Sequence, residues 1–144
     1  MRSIVPFVIG SAAFALDALA VLEVAGERPW VPLPFAPRGA PGVASWRGRA
    51  IALVDVGALL SGGHSLAPGQ VRARTVVARA AGCTVALPVD QVREVHDVAE
   101  TLVGPAPPGA LYASALVEAP GGPVTLLDFE ALVEGVLREG TAAA

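Results

Sequence analysis

The sequence contains no lysine, a single cysteine and few aromatic residues, and each shortage removes a class of function. Without lysine there is no phosphate-binding loop of the Walker type, which uses that side chain to reach the phosphates. All ten basic residues are arginine and the net charge is −3, so there is no electrostatic footprint for nucleic acid or an anionic membrane. Aromatics at 5% are sparse for the stacking platform of an oligonucleotide-binding barrel, the alternative reading as a small β-barrel module. The lone Cys83 rules out an intrachain disulfide and a Cys-x-x-Cys pair. Within the apolar run 83–89 it reads as a small buried residue in a reducing cytoplasm.

Signatures of catalysis are also missing. The chain has no Gly-x-Ser-x-Gly elbow and no dinucleotide fingerprint. His64 and His96 stand 32 residues apart, with no metal-ligand spacing. Asp55, Asp90 and Asp128 each follow an apolar run, where a carboxylate more often caps a helix or turn than performs chemistry. No catalytic residue, metal ligand or cofactor is assigned, and the chain is not expected to be an enzyme.

What the chain does have is an apolar majority and an internal repeat. Hydrophobic residues make up 53% and charged residues 16% of 144, enough for one domain or two lobes sharing a core. Ala15-Leu16 and Val21-x-Glu23-Val24 return as Ala86-Leu87 and Val92-x-Glu94-Val95, 71 residues later. The stretch 48–60 resembles 121–133 at an offset of 73, with Gly, Leu, Asp, Ala and Leu coinciding. Two matches in the same order and at nearly equal offsets argue for two similarly built halves. Asp55 and Asp128 are equivalent in this repeat, which favours capping roles for both.

Short Val-rich segments broken by 16 Gly and 13 Pro predict many short strands with frequent turns. Residues 4–9 and 12–16 read as a hairpin about Gly10-Ser11. A tight helical turn over 17–19 and a strand over 21–24 follow. Prolines 29, 32, 34, 37 and 41 make 29–42 a loop, because proline cannot donate to a ladder. A strand over 50–54 leads to Asp55, capping a short helix to about Leu60, and 61–69 reads as the junction between halves. In the second half, 74–80 and 83–89 read as a hairpin about Ala81-Gly82. Strands are expected at 92–95, 111–118 and 124–127, with a loop over 104–109. Asp128 then caps a helix with Phe129, Leu132, Val133, Val136 and Leu137 at helical spacing, stopped by Gly140, with a frayed tail. The expected architecture is mostly β: two small bent sheets or barrels, the last helix covering one. The apolar stretch 4–22 follows Arg2 and ends in Ala18-Leu19-Ala20, like a cleavable leader. Asp17 interrupts it, however, and its end has a counterpart inside the chain, so it reads as fold.

One polar constellation stands out. Trp46-Arg47, set between Gly42 and Gly48 before a strand, has the composition of a binding hot spot. A Trp packed on the core beside a solvated Arg gives the same sequence.

Taken in order, these motifs resemble the CheW-like domain family over about residues 4–138. They are Phe14-Ala15-Leu16-Asp17, Val21-Leu22-Glu23-Val24, Pro37–Val43, Ser45-Trp46-Arg47-Gly48, Leu53-Val54-Asp55-Val56, Leu87–Val95 and the closing strand and helix 124–137. The resemblance implies a single domain, 1–144, made of two five-stranded SH3-like barrels. Subdomain one would span about 12–70 and subdomain two about 71–138, with 4–11 joining the shared core and 141–144 frayed. It implies a non-enzymatic cytoplasmic scaffold that couples the tip of a methyl-accepting chemoreceptor to the regulatory domain of a CheA-like histidine kinase. The receptor would dock in an apolar groove between the lobes. Carried over by motif, Val21, Glu23, Val43, Arg47, Gly48, Val92 and Val95 are the interaction candidates, joined by Trp46 from the hot spot. Three departures are visible: Ser45-Trp46 in place of Asn-Leu, a short proline-rich 104–110, and Pro88 within a strand. They leave open a specialised variant that binds the receptor but not the kinase.

Overall fold

The computed structural model describes residues 2–60 and 64–143, with side chains as far as Arg138. The opening hairpin is β1 (Arg2–Ile9) and β2 (Ala12–Asp17); a 3-10 turn follows, capped by the Asp17 carboxylate, which accepts from the Leu19 amide. Next come β3 (Val21–Gly26), β4 (Trp30–Pro32), β5 (Gly42–Trp46), β6 (Arg49–Leu53) and helix α1 (Val56–Leu60). A second hairpin, β7 (Arg74–Ala80) and β8 (Cys83–Val89), precedes the short β9 (Gln91–Val92), β10 (His96–Val98) and β11 (Val103–Gly104). The closing hairpin is β12 (Ala113–Ala119) and β13 (Gly122–Leu127), followed by α2 (Phe129–Ala143).

The strands form two sheets. One runs β10-β1-β2-β13-β12-β11, with β9 also on β1; the other runs β3-β7-β8-β6-β5-β4. In the first, β10 also touches β12, so the sheet curls on itself. The fold is mostly β, with two sheet-based subdomains, short helices and a C-terminal helix, as expected. The sheets hold seven and six strands, because short edge pieces such as β4 and β9 add to each core set.

The repeat is real, but its halves exchange strands. In the repeat, Phe14 and Ala15 correspond to Val85 and Ala86, while Ala52 and Leu53 correspond to Thr125 and Leu126. The parallel ladder Thr125↔Phe14, Leu126↔Ala15 is therefore matched by Ala52↔Val85, Leu53↔Ala86 in the same register. Each sheet joins one motif from either half. The stretches 12–70 and 71–138 consequently supply strands to both sheets, and a cut at residue 70 would sever both. These central pairings also explain the unbroken apolar runs. Successive side chains on a strand point to opposite faces, and here both faces are covered. Phe14 and Leu16 enter the shared core between the sheets, while Ala15 enters the interior of the first sheet. Val76 and Leu87 likewise face the shared core, and Val77 and Ala86 the interior of the second. The stretch 4–22 is thus built into the fold, with Ile4, Phe7, Ile9 and Leu16 fully buried.

Several expected boundaries move, each for a local reason. The 29–42 loop contains β4, an edge strand that pairs only with β5 and ends at Pro32, where proline at an edge is tolerated. Of the strand expected over 92–95 only Val92 lies in one, at the end of β9, and 93–95 connect it to β10. Both pair with β1, on either side of Pro6, which has no amide hydrogen to bridge them. Pro88 pairs with Thr75 of β7, beyond the point where β6 leaves β8, so its missing donor faces no ladder. Helix α2 runs through Gly140 to Ala143 instead of stopping. Glycine ends a helix where it adopts the left-handed conformation, and inside one it merely costs about 1 kcal/mol. Cys83 is half-buried at the start of β8. Of the junction 61–69, residues 61–63 lie outside the described residues; the rest is tied down by Leu66 N–H to Asp55 and by the Arg72 guanidinium to the His64 carbonyl.

Both capping carboxylates sit where the repeat puts them. Asp55 Oδ1 accepts from Ala58 N at 3.1 Å, and Asp128 Oδ1 from Ala131 N at 3.1 Å. Phe129, Leu132, Val133 and Val136 of α2 close over the shared core.

Candidate functional site

The β5–β6 connection is a two-residue turn, closed by the Trp46↔Arg49 pair. Both turn residues lie in the left-handed region, Arg47 at φ 49° and Gly48 at φ 74°. That is the geometry of the hairpin turn whose twist matches the flanking strands, and Asn-Gly is its usual sequence. An arginine there costs about 1–2 kcal/mol of backbone strain. Phe35, Ala81 and Tyr112 share this region, and Ala81-Gly82 makes the same turn between β7 and β8, so the backbone conformation belongs to the hairpin and the exposed cation is what sets Arg47 apart. Gly48 has open space around the position of a Cβ, so Gly48→Ala tests the turn alone. We expect a loss of about 1–2 kcal/mol in denaturant unfolding, from φ strain without any clash.

Trp46 is buried at 8% exposure, packed with Trp30, Ile51, Leu53 and Val77 inside the second sheet. The core reading holds for the ring, and the arginine carries the exposed part of the pair. Arg47 is 69% exposed, its guanidinium carbon 4.8 Å from the Trp46 ring centroid. Its Nη2 donates to Glu23 Oε1 at 3.2 Å. Glu23 faces it because β3 carries a bulge between Val21 and Glu23 as it pairs with β7. On the other side of the same carboxylate, Arg28 Nη2 lies 3.6 Å from Oε2, while Arg28 Nη1 donates to the Ser45 carbonyl at 3.1 Å. Arg28 drew no notice in the sequence, because its partners lie on β3 and β5 and no local pattern marks them.

The structure therefore brings Glu23, Trp46, Arg47 and Gly48 together. Val21 lies half-buried on β3 against the shared core, and Val43 half-buried on β5. The other two candidates lie at the first sheet, Val92 in β9 and Val95 in the connection between β9 and β10. Val92 is partly buried on β9, and Val95 is 62% exposed beside a hollow of about 250 Å³ with Pro6, Arg93, His96 and Pro120. Alternation on the edge strand β3 turns Leu22 and Val24 outward, and Leu19 of the preceding 3-10 turn is exposed; none of the three is among the candidates read from the sequence. A cavity of about 460 Å³ opens between the sheets, with Ala80, Leu126 and Phe129 among its apolar lining and Arg2, Asp17 and Arg79 among its polar lining. None of the eight candidates lines it. Among the described residues no three His, Cys, Asp or Glu side chains assemble as a metal set.

Comparison with known proteins agrees with the fold. The chain matches the CheW-like domain family over residues 3–136. It is 33% identical over 106 residues to the chemotaxis protein CheW of Rhizobium meliloti, covering 74% of this chain and 67% of that protein. A probable chemotaxis protein CheW of Rhizobium etli is 29% identical over the same coverage. The crystal structure of the scaffolding protein TtCheW from Thermoanaerobacter tengcongensis superposes with a TM-score of 0.74 at 22% identity, covering 88% of each chain. The chain belongs to the CheW-like family, the chemotaxis scaffolds that couple receptors to the kinase CheA and are not enzymes.

Proposed function

We propose that this protein holds the cytoplasmic tip of a methyl-accepting chemoreceptor and the regulatory domain of a CheA-like kinase in register, and does so in the cytoplasm. Among the described residues no helix is long and apolar enough to cross a membrane. The observation that carries the reading is Arg47: an exposed cation displayed at the tip of a two-residue turn, backed by a buried Trp. A guanidinium in that setting pairs with a carboxylate on a partner helix while its stem and neighbours cover apolar surface. Gly48 completes the turn that presents Arg47; Val21 and Val43 are half-buried elsewhere on β3 and β5, and Val92 and Val95 are further contact candidates beside the first sheet. Receptor state would pass to the kinase through packed contacts that differ between signalling states.

The test is affinity purification of the tagged chain from its native cells. Recovery of a methyl-accepting receptor together with a CheA-type kinase is the expected result. Recovery of the receptor alone would replace the reading with that of a single-partner adaptor. Recovery of neither would overturn it.

A further inference from the structure

Glu23 is shared by two arginines of unequal freedom. Each of its oxygens faces one guanidinium, Arg47 at 3.2 Å and Arg28 at 3.6 Å. Arg28 is 33% exposed and is also held by the Ser45 carbonyl, whereas Arg47 is 69% exposed. The trio carries one formal positive charge in excess.

We propose that Arg28 is a positioning residue that lets Arg47 exchange its ion pair: Arg28 keeps Glu23 neutralised while Arg47 turns to an acidic side chain of the docked partner. The inference rests on the proposed role of Arg47 in partner capture. Its physical basis is desolvation. A partner seated on the turn removes water from Glu23, and a covered carboxylate without a cation is costly. With Arg28 in place the carboxylate retains one cation throughout. Without it, Glu23 must either be stranded or hold Arg47 back from the partner. Arg28 touches no partner in this scheme and acts only through Glu23.

The experiment is calorimetric titration of the full chain with a soluble hairpin fragment of the receptor cytoplasmic tip. Arg28→Gln should weaken binding about five-fold, the scale of coupling between neighbouring charges. In a Glu23→Gln background, which has no carboxylate to neutralise, Arg28→Gln should have no effect. Arg28→Lys, which keeps the charge, should restore most of the affinity. A merely structural role through the Ser45 carbonyl would weaken binding equally in both backgrounds, and that outcome overturns the proposal. No loss from Arg28→Gln, where Arg47→Glu does weaken binding, would overturn the exchange and leave the role of Arg47 standing. No loss from either variant would remove both.

Discussion

Arg47→Glu is expected to weaken binding to a receptor-tip fragment by at least ~10-fold and to leave the fold intact. Within the free protein the side chain makes one surface ion pair and one contact with the Trp46 ring. Exposed pairs contribute about 0–1 kcal/mol, so the change should barely move the unfolding midpoint. In a complex the same group is covered and paired, and losing one partner of a covered charge pair costs about 2–5 kcal/mol. Reversal of the charge adds repulsion from the partner's carboxylate. Calorimetry against the fragment, with a thermal melt of each variant, separates the two effects. Unchanged affinity in a folded variant would show that the turn lies outside the interface.

The second large effect concerns stability. Asp55→Ala should cost about 2–4 kcal/mol, on the order of 10 °C in melting temperature. Asp55 is buried at 3% exposure, and its two oxygens serve different donors: Oδ1 accepts from Ala58 N and Oδ2 from Leu66 N, at 3.1 Å and 2.8 Å. Truncation therefore removes a helix cap and also leaves the Leu66 N–H without its partner. The repeat supplies an internal control. Asp128 is exposed and makes the same capping bond, to Ala131 N, so Asp128→Ala should lose only the cap, about 1 kcal/mol. Asp55→Asn should fall between, since an amide has one acceptor oxygen and would point its NH2 group at the other donor. Denaturant unfolding of the three variants reads the order directly. Equal losses for Asp55→Ala and Asp128→Ala would show that the Asp55–Leu66 bond contributes nothing.

The contrast between these equivalent aspartates also shows what the sequence contains and what it leaves out. Both caps and the β7–β8 hairpin are local, each depending on residues a few positions apart and readable from spacing and turn chemistry, and the repeat is readable by aligning the chain with itself. Exchange of strands between the halves is not local. The pairings of β2 with β13 and of β6 with β8 join segments far apart in the chain, and an apolar run fits any neighbour that covers both its faces. Prolines misled in opposite directions. Five of them between 29 and 41 concealed β4, whereas Pro6, read as an ordinary strand residue, interrupts the ladder that splits β9 from β10. At the site, the motif around Arg47 was legible because a Trp beside an Arg, set between glycines before a strand, has the composition of a binding hot spot. Burial of Trp46 was not, since an exposed and a buried Trp beside an Arg have the same composition. Arg28 was invisible because its carbonyl partner belongs to a strand brought alongside only by folding.

The central claim is that one chain binds receptor and kinase at the same time. The most direct test is co-sedimentation of purified CheA-type kinase with receptor-containing membranes, with and without this protein. Kinase that pellets only when the chain is present, and stays in solution with Arg47→Glu, is the expected result. Kinase that pellets equally without the chain, or remains soluble in its presence, would contradict the coupling role.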